Sequence, residues 1–347
     1  MLRLIDANLD RLSEGLRVLE DIARFLFGDI QTTETLKSLR HKLTTTDPAF
    51  KNRLLTARDS SSDVGRESHV ERTERKHLID LVTANAKRVQ ESLRVLEEFA
   101  KLPEAPDGIA NLEFEQARFT LYEIERDIIL QLSRANKRER INGLYVIIDA
   151  QALAGRNMVD VAQQVADGGA SIVQLRNKLT SKRDLIAAAS KIREICAKAG
   201  ILFIVNDHVD VALASDADGV HLGQTDIPLT LAREILPPDK LIGCSARSVE
   251  KAIQAQEEGA DYLGVGSIYP SSTKLNAKVI GLEGLREIRN AITLPIVAIG
   301  GISEINANEV FEHGADCLAV ISAVSNTEDI KAATNKLAGK ISERGVN

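Results

Sequence analysis

The chain has 347 residues, 44% hydrophobic and 27% charged, the balance of a soluble globular protein of about two domains. A net charge of −6, no Trp and 3% aromatic residues exclude a basic or base-stacking nucleic-acid surface, and no apolar run approaches the ~18 residues of a membrane span. The opening MLRLIDANLDRLSEGL carries acids early and does not read as a signal peptide, while Cys196, Cys244 and Cys317, odd in number and far apart, argue for reduced thiols in a cytoplasm.

The pattern changes at Arg134–Asn142 (RANKRERIN), which predicts two domains, 1–136 and 141–347. The first is helical throughout and contains an internal repeat. Ala7–Arg24, ANLDRLSEGLRVLEDIAR, matches Ala84–Lys101, ANAKRVQESLRVLEEFAK. At an offset of 77, Asn8, Arg11, Glu14, Arg17 and Glu20 recur as Asn85, Arg88, Glu91, Arg94 and Glu97. A weaker match at an offset of 78 sets RHKL from Arg40 against RFTL from Arg118, so the unit is a helix pair used twice. Leu12, Leu16, Leu19 and Ala23 form one apolar stripe, with Glu14, Arg17 and Asp21 on the far side. These charges read either as a solvated ladder of ion pairs or as a functional set kept in both copies. Between the copies, Arg58-Asp59-Ser60-Ser61-Ser62-Asp63-Val64-Gly65 reads either as a turn or as a phosphate-binding loop.

After the boundary, short β-rich runs alternate with helical patterns. Strands are predicted at Leu144–Ile148, Ile172–Leu175, Leu202–Val205, Gly219–Leu222, Leu241–Cys244, Tyr262–Val265, Ile296–Ile299 and Cys317–Ile321. Strands buried on both faces with helical crossovers imply a parallel sheet. Eight such units predict an α/β fold, a (β/α)8 TIM barrel preceded by the all-α domain. The competing open doubly wound sheet would open on a Gly-rich turn, and Ile148-Asp149-Ala150 is not one.

A barrel's chemistry sits where its strands end. Strand two exits through Gln174-Leu175-Arg176-Asn177-Lys178, whose two cations suit a diphosphate. Asn206 and Asp207 close strand three and Asp226 follows strand four. Carboxylates at neighbouring strand tips would converge on a divalent cation. Ser245 ends strand five. The hydroxyl-rich Tyr269–Lys274, between Gly266 and Gly281, is long enough to close as a lid. Backbone N–H groups at Gly301 and Ser322, after strands seven and eight, suit a monophosphate. Two anion sites facing each other imply transfer between two small phosphorylated molecules. No Ser-His-Asp triad or nucleophilic Cys stands at these exits, and His208 and His221 read as packing or hydrogen-bonding residues.

VQLRNK, VNDHVDVAL, DGVHLGQTDIP, GCS, DYLGVGSIYPSSTK, VAIGGI and AVISAV together resemble the thiamine-phosphate synthase family over about 143–340. The resemblance implies joining of 4-amino-2-methyl-5-hydroxymethylpyrimidine diphosphate to a thiazole phosphate, with release of diphosphate. It implies that Gln174 through Lys178 (with Leu175 and Asn177), Asn206, Ser245 and Lys274 bind the pyrimidine diphosphate. Asp207 and Asp226 would hold Mg2+, and Ser271, Ser272, Thr273, Gly301, Ile321 and Ser322 the thiazole phosphate. Ser271 departs from the family's usual Thr but keeps the hydroxyl, and Arg247 stands where a His is frequent. A thiazole tautomerase-like enzyme is the alternative on the same barrel.

In the N-terminal half, ANxxRxxExLRVLE and the RDxxxDVG loop are similar to an extra domain of some bacterial thiamine-phosphate synthases, related to a proposed hydroxymethylpyrimidine-phosphate kinase family. Asn8, Arg11, Arg17, Asn85, Arg88 and Arg94 are its candidate residues, although no Walker motif is present. A non-catalytic helical oligomerisation module, which would make the chain a homo-oligomer, is the alternative.

Overall fold

The computed structural model describes residues 1–44, 47–59, 75–110, 112–270 and 278–342. The chain divides into two compact units, Met1–Leu132 and Ser133–Asn347.

The first unit is helical: α1 (Leu2–Ile22), a π-helical turn (Ala23–Phe27), α2 (Ile30–Thr44), α3 (Pro48–Thr56), α4 (Leu78–Ala100), α5 (Asp107–Ala110) and α6 (Phe114–Glu139), whose last turns belong to the second unit. The repeated segments form α1 and α4, which pack on each other. Their apolar stripes, Ile5, Leu9, Leu12, Leu16 and Leu19 on one and Val82, Ala86, Val89, Leu93 and Leu96 on the other, are buried in one core. The helices approach closely at Gly15. A Cβ there would lie 2.5 Å from Val89 Cγ2 and 3.2 Å from the Asn85 carbonyl oxygen.

The second unit is a closed parallel barrel of β1 (Gly143–Asp149), β2 (Ile172–Arg176), β3 (Leu202–Asn206), β4 (Gly219–Leu222), β5 (Leu241–Ala246), β6 (Tyr262–Gly266), β7 (Ile296–Ile299) and β8 (Cys317–Val320), each paired with its neighbour and β8 with β1. The open sheet is thereby excluded. Helices α7 (Met158–Asp167), α8 (Lys182–Ala199), α9 (Val209–Ala214), α10 (Leu229–Ile235), α11 (Val249–Glu257), α12 (Gly281–Ala291), α13 (Ala307–Glu312), α14 (Ser322–Ser325) and α15 (Ile330–Ser342) surround it. None of the described helices is long and apolar enough to cross a membrane.

Alternation along the strands sorts the side chains. Val146, Ile148, Val173, Leu175, Phe203 and Val205 turn out to the helices. Tyr145, Ile147, Ile172, Ile204, Tyr262 and Val297 turn in and fill the barrel. At the end where the strands begin, Asp218, Asp261 and Asp316 stand just before β4, β6 and β8. Their carboxylates accept the backbone N–H of Phe203, Ile242 and Ile296 at 3.0, 2.8 and 2.8 Å, satisfying strand-start donors on neighbouring strands. That end is built for stability, leaving the other for chemistry.

Candidate active site

The strand ends enclose a cavity of about 430 Å3. Of the residues expected from the sequence, it brings together Gln174, Arg176, Asn206, Ser245, Gly301, Ile321 and Ser322. Leu175 and Asn177 turn away. The Leu175 side chain packs outward among helix residues, because alternation that points Gln174 and Arg176 inward points it out. Asn177 is buried and folds its own loop, accepting from Leu179 N at 2.8 Å and donating to Thr180 Oγ1 at 2.9 Å. Ser271, Ser272, Thr273 and Lys274, and with them most of the expected lid, lie outside the described residues.

Arg176 pairs with Asp149, its register partner at the end of β1. Asp149 is 2% exposed and also accepts from Gln151 N at 3.0 Å. The sequence reading passed over this carboxylate, although an acid closing an apolar strand is the same signal that singled out Asp207. Lys178, Asp207 and Asp226 are not among the residues that line the cavity; Lys178 Nζ stands 3.1 Å from Asp207 Oδ2. Asp207 has φ of +65°, a left-handed conformation that Asp tolerates better than most residues. Burial raises the Asp226 carboxyl above the ordinary carboxylate range; the Gly223 N–H, donating at 2.6 Å, pulls it down, and the hydrogen-bonded Asp207 carboxyl raises it further, against Lys178. The two acids from adjacent strand ends therefore face each other.

No group of three or more His, Cys, Asp or Glu arranged for a metal occurs among the described residues. Two facing carboxylates, mutually repelling when ionised, fit Mg2+, which binds through one or two carboxylates and completes its shell with substrate phosphates and water.

Across the barrel, Gly300 and Gly301 have φ of +105° and +64°. A Cβ on Gly301 would meet Tyr269 Cβ and the Pro270 carbonyl at 2.7 Å, so the loop needs bare backbone there. Asn306 Nδ2 braces it by donating to the Gly301 carbonyl at 2.9 Å. Ser322 opens α14 beside it. Tyr145, His221, Arg247 and Tyr262 also line the cavity. His221 is the hydrogen-bonding residue expected, placed between Tyr262 and Ser245.

In the helical unit, Asn8 and Asn85 each donate to the carbonyl four residues back, Leu4 and Leu81, at 2.8 Å. Glu20 is buried and receives Arg17 at 3.2 Å and Arg40 at 3.0 Å. Glu97, its counterpart, receives Arg94 at 2.9 Å and Arg118 at 3.2 Å. Of the repeated charges, Arg17 with Glu20 and Arg94 with Glu97 thus belong to buried-carboxylate clusters joining the two helices of each pair. Arg11 and Arg88 are exposed, with no ion pair among the described residues. Arg58 reaches Asp6 at 2.6 Å and Asp10 at 2.8 Å, while Ser60–Gly65 lie outside the described residues.

The copies differ beyond the clusters. Lys101 closes on Glu97 at 2.9 Å and Glu98 at 3.0 Å. Its counterpart Arg24, on the π-helical turn, has no carboxylate partner among the described residues and lies 4.8 Å from the Phe25 ring centre. The first copy keeps a cleft of about 470 Å3 lined by Arg17, Arg24, Lys37 and Arg40 together with Glu20, Asp29 and Glu34.

A closed parallel barrel with cations, facing carboxylates and bare glycine backbone on the rim where its strands end defines a phosphate-handling TIM-barrel enzyme. A family profile described as thiamine monophosphate synthase matches residues 144–324, and one described as the ThiD2 family matches residues 3–127. The thiamine-phosphate synthase of Synechocystis sp. is 38% identical over 341 residues, 98% of this chain and 96% of that one. That of Thermosynechococcus vestitus is 36% identical over 98% of this chain and 95% of its own. The solved thiamine phosphate pyrophosphorylase from Pyrococcus furiosus matches with a TM-score of 0.55 at 43% identity, covering 59% of this chain and 98% of that one. The chain belongs to the thiamine-phosphate synthase family of transferases, with a ThiD2-family region before the barrel.

Proposed function

We propose that the barrel couples 4-amino-2-methyl-5-hydroxymethylpyrimidine diphosphate with 4-methyl-5-(2-phosphoethyl)thiazole, or its carboxylated form with loss of CO2, to give thiamine phosphate and diphosphate. The observation that carries this reading is the convergence of Asp207 and Asp226 beside Lys178, where Asp207 follows the cavity-lining Asn206 and Lys178 stands two residues beyond the cavity-lining Arg176. The bond between the pyrimidine methylene and the diphosphate oxygen breaks, with its electron pair leaving on diphosphate. The thiazole nitrogen supplies the pair for the new C–N bond. No covalent nucleophile is needed, and the work is positioning and charge neutralisation. Arg176, Lys178 and Lys274 neutralise the departing diphosphate. Gln174, Asn206 and Ser245 orient the ring. Gly301, Ile321, Ser322 and Ser271–Thr273 hold the thiazole phosphate so that its nitrogen faces the methylene. Asp207 and Asp226 would hold Mg2+, which when bound supplies further charge neutralisation at the diphosphate.

Retention of Arg176, Lys178, Asp207, Asp226 and Lys274 in the sequence favours the synthase over a tautomerase-like enzyme. The free thiols Cys196, Cys244 and Cys317 suit a reducing, cytoplasmic setting. Purified protein supplied with both substrates and Mg2+ is expected to form thiamine phosphate and to stop on chelation. Asp207→Ala and Lys274→Ala are each expected to cost roughly 3 kcal/mol of barrier, about a hundredfold in rate. Near-normal turnover by Asp207→Ala at saturating Mg2+ would overturn the metal assignment.

A second reading concerns the helical unit. Its resemblance to a proposed hydroxymethylpyrimidine-phosphate kinase family is favoured by the cleft in which Arg17, Arg24, Lys37 and Arg40 outnumber Glu20, Asp29 and Glu34, an excess of positive charge that suits a phosphorylated substrate. Asn8, Asn85, Arg17 and Arg94 all spend polar groups within the unit, and of these Arg17 lines the cleft, which makes it the candidate nearest such a role. The full chain is expected to phosphorylate hydroxymethylpyrimidine phosphate from ATP, and Arg24→Ala to weaken that activity while sparing the barrel's. Wild-type protein without such turnover would leave the unit as an oligomerisation module.

A further inference from the structure

Five side chains from five strands form one hydrogen-bonded line across the barrel interior. Gln174 Nε2 on β2 donates to Tyr145 Oη on β1 at 2.8 Å. Tyr145 Oη lies 3.1 Å from Tyr262 Oη on β6. Tyr262 Oη lies 3.2 Å from His221 Nδ1 on β4, and His221 Nε2 lies 3.0 Å from Ser245 Oγ on β5. Gln174, Tyr145 and Tyr262 are 3%, 1% and 0% exposed, so each must find its partner inside the protein. The strands make room for the line. A Cβ at Gly243 would lie 2.1 Å from Tyr262 Cζ, and one at Gly264 would lie 2.7 Å from His221 Cε1.

With the Gln174 amide N–H as first donor, one arrangement uses every hydroxyl hydrogen of the two tyrosines within the line. The Gln174 amide N–H donates to Tyr145. The Tyr145 hydroxyl then donates to Tyr262, and the Tyr262 hydroxyl to the Nδ1 lone pair of His221. A neutral imidazole accepting at Nδ1 carries its proton on Nε2, which donates to Ser245 Oγ. The Ser245 O–H is left to donate into the cavity, and the Gln174 amide oxygen is left to accept. Burial raises both tyrosines well above the ordinary phenol range, which keeps them protonated and in line.

We propose that Tyr145, Tyr262 and His221 are positioning residues that fix Ser245 as a donor and Gln174 as an acceptor, and so select an aminopyrimidine over its oxo counterpart. An aminopyrimidine offers a ring-nitrogen lone pair and an exocyclic N–H. A 4-oxopyrimidine offers a ring N–H and a carbonyl, the opposite pattern, which meets this line donor to donor and acceptor to acceptor. Sites built to hydrogen-bond one pattern reject the other because buried groups are left unpaired. The inference rests on the synthase reading of the cavity and adds a determinant of ring specificity.

The test compares coupling of the aminopyrimidine diphosphate and its 4-oxo analogue by the full chain, by Tyr262→Phe and by His221→Gln. Wild type is expected to prefer the amino form. Tyr262→Phe, which removes one oxygen from the line, is expected to lose about tenfold or more of that preference in kcat/KM. Its inhibition constant for inorganic diphosphate should stay within about twofold, since the diphosphate end is untouched. His221→Gln keeps a donor near Ser245 and should retain more of the preference than His221→Leu. Nitrogen-15 spectra should show His221 Nδ1 unprotonated in wild type and this tautomer depleted in Tyr262→Phe, a change that lost packing alone would not produce. A wild type that does not couple the substrates would overturn the synthase reading. A wild type that couples them, with Tyr262→Phe equally selective or Nδ1 carrying the proton, would overturn this inference alone.

Discussion

Asp149 holds a charge that the cavity uses. Its pairing with Arg176 aims the guanidinium, yet it also offsets part of the positive charge that a diphosphate would feel. Orientation is expected to outweigh that offset, because a charge-assisted pair is worth ~1.5–3 kcal/mol and an unanchored Arg must be reordered in each turnover. Asp149→Asn, which keeps one acceptor, is therefore expected to lower kcat/KM about tenfold, and Asp149→Ala about a hundredfold, with KM for the diphosphate substrate rising. Steady-state kinetics beside a melting curve checks this. An unchanged kcat/KM in Asp149→Ala would leave the acid a purely structural role. The position was open to sequence reading only in part. The strand signal stopped at Ile148, where apolar alternation stops, whereas backbone pairing continues one residue further to bring Asp149 beside Arg176.

Among the elements, the repeat was legible because it is written in identity, but its meaning was not. Glu20 and Glu97 recur because each is buried beneath arginines from two helices, and the second arginine, Arg40 or Arg118, lies 20 or 21 residues further along. A single-helix pattern cannot carry that pairing. The eight strands were legible because both-face burial leaves continuous apolar runs, and Gly219–Leu222 and Ile296–Ile299 coincide with the runs read from sequence. The Tyr145–Tyr262 contact was not, because in strands of that kind a tyrosine reads as core until barrel closure sets β1 across from β6. The π-helical turn at Ala23–Phe27 likewise has no apolar period of its own to reveal it. The approach of α1 to α4 gives an element-scale prediction. Gly15→Ala would gain ~1 kcal/mol of helix propensity, but its methyl would press on the stiff Val89 and on backbone, an overpacking cost of ~1–3 kcal/mol. Net destabilisation is expected, read as a lower denaturation midpoint of the helical unit. A higher midpoint would mean that the helices part freely.

At the scale of the whole molecule, pairing β3 with β4 within the barrel brings two acids together and stores a cost that a cation can relieve. Asp226 takes up a proton more readily in the folded chain than an ordinary carboxylate does, first because it is buried and then, beyond the opposing Gly223 bond, because Asp207 faces it. Between the unfolded and folded values the native state binds more protons than the unfolded one. Stability without metal therefore falls as pH rises through that window, and stays lower at neutral pH. A bound divalent cation relieves the same repulsion and adds a linkage term of ~2.7 kcal/mol when its concentration is a hundred times its dissociation constant. The melting temperature of the full chain is thus expected to rise with Mg2+ at neutral pH. The increment should shrink as pH falls toward the raised value of Asp226, where a proton competes for the site. Asp226→Asn should raise the metal-free melting temperature at neutral pH and abolish the Mg2+ increment together. Calorimetry across pH, with and without Mg2+, separates this linkage from general salt screening, since screening by a monovalent salt of equal ionic strength would leave Asp226→Asn and wild type shifted alike. An Mg2+ increment of the same size in the variant would place the cation elsewhere and leave the two acids as a repelling pair without a ligand.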